Sequence, residues 1–320
     1  MKHCYLTLLL LFAVCSMQGQ NATNVQVYQE GEDIIITYDL SRRSKVQIFV
    51  ATGHQDQYTK LQAVTGSVGD NIAKGHNLQI IWSPLKEAKE FIAQDARFKI
   101  ETETIHCFSV APDRQVIISK GNLQYSPSKK KWRFAPEQWN YIGNIGWNSD
   151  WIDLFGWGTG NNPTNQSKRN KDYSIFVDWG NNQIGDDAPN TWRTLTTREY
   201  LYLFNSRGTS STVGYVCVCG VKGLIILPDE WSRPEDLVFT TTYSYSDWKK
   251  METNGAIFLP AAHSEIVYKN ISFMYGYYWL STGTKGKAGV IHFGDCDSYS
   301  RFPLSYDYRK HFSVRLVKDL

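Results

Sequence analysis

The sequence predicts two domains: an all-β sandwich of the immunoglobulin or fibronectin type over residues 20–104, then an α+β domain over 105–320. Three observations predict this. Residues 24–104 alternate apolar and polar side chains with period two. From about Ile105 the composition shifts, and all but one of the 11 tryptophans follow. Two stretches with helix start and stop signals lie among short strand-like runs in the second part.

Residues 1–19 read as a secretory signal peptide. Lys2 and His3 give a basic start, Tyr5 to Val14 form an apolar run too short to span a bilayer, and the small Gly19 precedes Gln20. A secreted or cell-surface protein beginning near Gln20 is expected. Cys15 invites a lipoprotein reading, but Val14 stands where the lipid-attachment signal needs a small residue. No membrane span is expected in the mature chain. The formal net charge is +3 with both signs intermixed, so nothing supplies the basic face that nucleic acid requires.

In the first domain Ile34, Ile36, Tyr38 and Leu40 alternate with Asp33, Thr37 and Asp39. Val46, Ile48 and Val50 repeat the pattern, as do Leu78, Ile80 and Trp82, then Phe98 and Ile100. A sheet packed on one side and wetted on the other reads this way. Gly66-Ser67-Val68-Gly69, Gly75-His76-Asn77 and Ser83-Pro84 supply turns. The domain is expected to space or present its neighbour and carries no site.

Strands are expected in the second domain at Val116–Ser119, Leu123–Tyr125, Trp132–Phe134, Leu224–Leu227, Ile257–Leu259, Trp279–Ser281, Gly289–Phe293 and Phe312–Val317. The run Lys129-Lys130-Lys131, after Ser126-Pro127-Ser128, reads as a solvated hairpin turn. Thr196 and Glu199 form a capping box; Tyr200, Leu203 and Phe204 make an apolar stripe, and Gly208 stops the helix. A second helix is expected over Ser244–Asn254, with Trp248 and Met251 on one face and Gly255 as terminator. Each buried tryptophan is worth about 4–6 kcal/mol at most, so a loop-rich domain dense in them holds together with little regular structure.

Several blocks of the second domain resemble a known family. Thr191-Trp192-Arg193-Thr194-Leu195-Thr196-Thr197-Arg198-Glu199-Tyr200 resembles the helix entry of the Fibrobacter succinogenes major paralogous domain. Tyr278-Trp279-x-Ser281-Thr282 and Phe312-Ser313-Val314-Arg315 are similar to its C-terminal signature. Trp151-Ile152-Asp153-Leu154-Phe155-Gly156-Trp157-Gly158-Thr159 is similar to secreted Bacteroidetes versions. The resemblance implies a C-type-lectin-like fold related to the formylglycine-generating enzymes. Leu280 and Leu195 depart from it, standing where a small residue and a proline are usual.

Catalytic signals are weak. The related enzymes bind copper through paired cysteines near the C-terminal end, where this chain has Cys296 alone. Cys107, Cys217, Cys219 and Cys296 leave disulfide pairing open. His263, His292 and His311 fall on separate segments, and no nucleophile elbow occurs. The pairs Asp186-Asp187 and Asp229-Glu230 lack the fixed separation that glycoside cleavage needs. Asn181-Asn182 with Asp186-Asp187 has no calcium-loop grammar. No enzyme activity, cofactor or metal is expected.

The candidate site is the stretch Asp295 to Arg309, rich in Tyr, Ser, Asp and Arg. It resembles the variable region of retroelement-diversified lectin-fold proteins. On Gly289–Phe293, Ile291 and Phe293 are expected to point inward and Val290 and His292 outward. With Asp295, Asp297, Tyr299, Arg301, Tyr306 and Tyr308 they would form one ligand-binding surface, using tyrosine area and directional charges. The expected function is non-catalytic binding or adhesion to an unknown protein or glycan. A structural surface or pilus-like component stays open, and an exposed sheet edge in the sandwich would favour it. So does a divergent formylglycine-generating-like enzyme, which needs converging titratable groups in an enclosed pocket.

Overall fold

Strand pairing, far more than helix packing, builds this chain. A computed structural model describes residues 21–52, 57–87, 96–144, 150–207, 213–268, 271–294 and 303–320, without the side chains of 263–268 and 271–274. The chain divides into two units, Met1–Ile105 and His106–Leu320.

The first unit holds β1 (Ala22–Glu30), β2 (Asp33–Leu40), β3 (Ser44–Ala51), β4 (Thr59–Lys60), β5 (Val64–Gly66), β6 (Gly69–Ile72), β7 (Gly75–Trp82) and β8 (Arg97–Thr104). One sheet runs β1-β2-β7-β5. The other centres on β3, which pairs with β8 over its whole length and with β4 and β6 along its opposite side. Ile34, Ile36 and Tyr38 from β2 meet Val46 and Ile48 from β3, Ile80 and Trp82 from β7, and Phe98 and Ile100 from β8 in one core. The period-two pattern thus buries one face of each sheet.

The second unit begins with β9 (Phe108–Ala111), β10 (Arg114–Ile118), β11 (Leu123–Ser126), β12 (Lys131–Phe134) and β13 (Arg193–Thr194). Next come α1 (Thr197–Asn205), β14 (Val213–Val218), β15 (Val221–Ile226), β16 (Thr242–Tyr243) and α2 (Tyr245–Thr253). The remainder is β17 (Ile257–Pro260), β18 (His263–Tyr268), β19 (Ile271–Thr284), β20 (Lys287–Gly294), β21 (Leu304–Asp307) and β22 (Leu316–Asp319). They form sheets β13-β22-β10-β9, β11-β12, β16-β14-β15-β17 and β18-β19-β20-β21.

Local signals set the helices. Thr196 and Glu199 close a complete capping box on α1, and Tyr200, Leu203 and Phe204 are buried along one stripe. Ser244 caps α2, which buries Trp248 and Met251. Gly255, at φ +86°, takes the left-handed conformation that ends it.

The expected fold class is nevertheless corrected. The chain is mostly β, with about 47% strand and 11% helix, arranged in many small antiparallel sheets. That is not the α+β, C-type-lectin-like domain behind an immunoglobulin-like sandwich that the sequence predicted. The two α-helices are nine residues each. Two segments not expected as strands also pair, β18 with β19 and β21 with β20.

The hairpin β19–β20 divides two cores of the second unit. Tyr278, Leu280, Ile291 and Phe293 project into a core shared with α1, β10 and β15. Trp279, Ala288 and Val290 project the other way, against Trp157, Trp179, Phe155 and Phe312. Two indole groups are tied to backbone across this boundary: Trp157 Nε1 donates to Leu280 O at 2.9 Å, and Trp279 Nε1 to Phe155 O at 2.7 Å. Tryptophan burial, with the N–H groups of Trp157 and Trp279 satisfied, ties the loop-rich layer to the sheet.

Candidate functional site

The sheet β19-β20-β21 lines up one set of side chains. Tyr277 lies opposite His292 and Trp279 opposite Val290, while Ala288 and Val290 face Tyr306 and Leu304 on β21. Residues directly opposite each other project from the same face. Along this face Trp279, Ala288 and Val290 are covered by the tryptophan core. Tyr275, Tyr277, His292 and Tyr306 emerge from it half-buried.

These four rings touch. Tyr275 stacks on His292 with centroids 5.7 Å apart and planes at 14°. Tyr277 lies 4.8 Å from His292 and meets Tyr306 edge-on at 5.4 Å. Beneath them Phe312, itself buried, stacks on Tyr277 at 4.8 Å and meets Tyr306 edge-on. Tyr277 and Tyr306 are thus packed from below by a buried ring.

Burial favours the neutral form of two of these rings. It pushes the His292 imidazole below its ordinary range, so the ring is uncharged at neutral pH. It raises the Tyr277 hydroxyl well above its ordinary range, aided by the Tyr306 hydroxyl. Charge sits beside the face, on Asp307 and Arg309. Arg309 donates to Asp307 through Nε at 2.8 Å and NH2 at 2.9 Å, and to Lys168 O at 2.7 Å. That guanidinium holds the Asp307 carboxyl down to about 2.

Of the predicted site residues, His292 and Tyr306 belong to this face. Val290 is a correction: expected outside, it is fully buried, because β20 has a core on each side and alternation there selects between two interiors. Tyr308 is another. It is buried and stacks on Trp157 at 4.1 Å and 11°, a partner that spacing along the chain does not reveal. Asp295, Asp297, Tyr299 and Arg301 lie outside the described residues. Tyr275 and Tyr277 were missed as site residues. Their signal was present, two tyrosines at period two across Gly276, but the run reads as frame when only one buried face is assumed.

Three of the candidate catalytic groups, Asp229, Asp187 and His311, are engaged in structure. Asp229 accepts from Ser109 N and Oγ at 3.0 and 2.7 Å and from Gln115 at 3.0 Å, and it pairs with Arg207. Asp187 accepts from Trp192 Nε1 at 2.8 Å, and His311 Nε2 contacts Asn165 O at 2.9 Å. Cys107 is buried, Cys217 lies on β14 and Cys219 in the following turn at φ +49°, and the last two are free thiols. Among the described residues no group of three or more His, Cys, Asp or Glu is placed to hold a metal ion. Among them, too, no helix is long and apolar enough to cross a membrane.

Comparison with protein-family models, curated proteins and solved structures finds no match to this chain.

Proposed function

We propose that this is an exported, non-catalytic binding protein that meets its ligand on the aromatic face of β19, β20 and β21. One observation carries the reading: Tyr275, Tyr277, His292 and Tyr306 form a contiguous, half-exposed set of rings on a sheet whose opposite side is core. Rings locked in this way lose little entropy on binding, and tyrosine adds a hydroxyl to a large apolar area. The four rings are uncharged, which suits stacking on a glycan or contact with an uncharged part of a protein epitope. Asp295 to Phe302 adjoins Gly294 at the end of β20, so ligand contacts from that stretch are part of the proposal. Kinship with the major paralogous domain family is part of it as well, resting on the motif blocks, two of which supply Trp279 and Phe312 beneath this face.

Capture by arrays of neutral glycans and of extracellular proteins tests the reading. The double substitution His292→Ala with Tyr306→Ala is expected to abolish the captured signal while the melting temperature moves by only a few degrees. Undiminished capture by the variant would place the binding surface elsewhere.

A further inference from the structure

Among the described residues the second sheet of the first unit ends at β8, and the side of that strand away from β3 carries a self-complementary pattern. Among the described residues β8 pairs only with β3, in the register Ser44 opposite Thr104 through Ala51 opposite Arg97. Just beyond β8, Ile105 N donates to Arg43 O at 2.9 Å. In an antiparallel ladder the bonded positions recur every second residue, so the odd-numbered residues of β8 turn their backbone groups toward β3. The backbone N–H and C=O groups of Phe98, Ile100, Thr102 and Thr104 point to the other side. Phe98 and Ile100 bury their side chains in the core; Arg97, Lys99, Glu101 and Glu103 project from the opposite face, the first two half-buried and the two glutamates exposed.

Such an edge is a template for another strand. The occupant that fits is β8 of a second copy, run antiparallel about Ile100. Backbone bonding requires even-numbered residues to face even-numbered ones, which allows only registers shifted in steps of two. With Ile100 opposite Ile100, Phe98 faces Thr102 in bonded pairs. At the closer, non-bonded positions Lys99 faces Glu101 and Arg97 faces Glu103, each twice by symmetry. Sliding one step either way puts Lys99 against Lys99 or Glu101 against Glu101. Like charges directly opposite are destabilising and unlike charges favourable, so the sequence Arg97-Phe98-Lys99-Ile100-Glu101-Thr102-Glu103 selects one register of itself. Within one chain Lys99 already reaches Glu101 at 2.6 Å, which shows that both side chains lie along the strand at the required height.

We infer that two copies of this chain associate edge to edge through β8, joining their β3-centred sheets into one continuous sheet with two-fold symmetry. This pairing is independent of the aromatic face and gives a ligand two copies of that face to meet.

Sedimentation velocity of the full-length protein over a concentration series tests it. The expected result is a reversible dimer that raised salt weakens. Lys99→Glu replaces two attractive contacts by two repulsive ones and is expected to weaken the dimer about tenfold or more. The exchange Lys99→Glu with Glu101→Lys is expected to restore it, since the same pairs re-form with signs reversed. That exchange also keeps the ion pair within each chain, so loss in the single variant and recovery in the double cannot arise from misfolding. A protein that stays monomeric throughout, or a dimer that Lys99→Glu leaves unchanged, overturns the inference.

Discussion

Glu199 accepts two hydrogen bonds from the Arg193 guanidinium, at 3.0 and 2.8 Å, with the same carboxylate that closes the cap of α1. Arg193 in turn reaches Asp319 on β22 at 2.6 Å. A buried carboxylate thus links the start of the helix, β13 and the last strand. Favourable contacts with Arg193 and Thr196 outweigh the cost of burying it and hold its pKa below the ordinary range.

Removing that charge strands Arg193 among its remaining partners. Glu199→Gln is expected to destabilise the second unit by about 2–4 kcal/mol in chemical denaturation, the range for breaking a buried pair. Asp319→Asn, at an exposed side chain, is expected to cost about 1 kcal/mol or less.

Val290 separates the two readings of β20 by experiment. At a solvent-facing position Val290→Ala would change stability by about 0.5 kcal/mol or less. At a position buried against Trp279 and the tryptophan core, the expected loss is about 1.5–3 kcal/mol.

The stacked pair Trp157 and Tyr308 leaves no room above Gly283. A Cβ there would lie 2.6 Å from the Trp157 ring and 3.0 Å from the Tyr308 ring. Gly283→Ala must separate these rings or move the strand, so a loss of about 1–3 kcal/mol is expected together with a changed tryptophan emission spectrum.

Asp307 predicts the acid limb of the stability curve. Its pKa of about 2, set first by the Arg309 hydrogen bonds, lies below its unfolded value near 4. Such a group stabilises the fold fully above the unfolded value and loses that contribution as pH falls toward 2. Denaturation midpoints measured downward from neutral pH are expected to fall in that window, and Asp307→Asn is expected to flatten the fall.

His292 works in the same direction at higher pH. Burial favours its neutral form in the folded chain, so protonation opposes folding and stability rises with pH through the imidazole range. The His292 resonances are expected to titrate below about 6.5, the value for a free side chain. A midpoint above that value would show an exposed or acid-paired ring.

How much of this was legible in the sequence differs by element. The capping box of Thr196 and Glu199 predicted α1, and the serine at 244 with the glycine at 255 bounded α2, because these signals act within one helical turn. Lys129 and Lys130 of the lysine run fall in the β11–β12 turn, where Lys130 takes φ +52°, and Lys131 opens β12. Alternation found β2, β3, β7 and β8, since one face of each meets water. It misdirected the reading of β20, where both faces meet protein. The proposed binding face shows the same limit: His292 and Tyr306 stood out, but the partnership of Tyr275 and Tyr277 with them depends on pairing across sequence separations that local spacing does not encode.

The position of β22 bears on how the second unit can be made. It lies inside its sheet, with β10 on one side and β13 on the other. Translation supplies this middle strand only after every other element of the unit has been polymerised. Until residues 316–319 have cleared the ribosome, β10 and β13 flank a gap and the unit cannot mature. That is a handicap for folding during synthesis, and an advantage for any route that threads a polypeptide unfolded through a narrow channel.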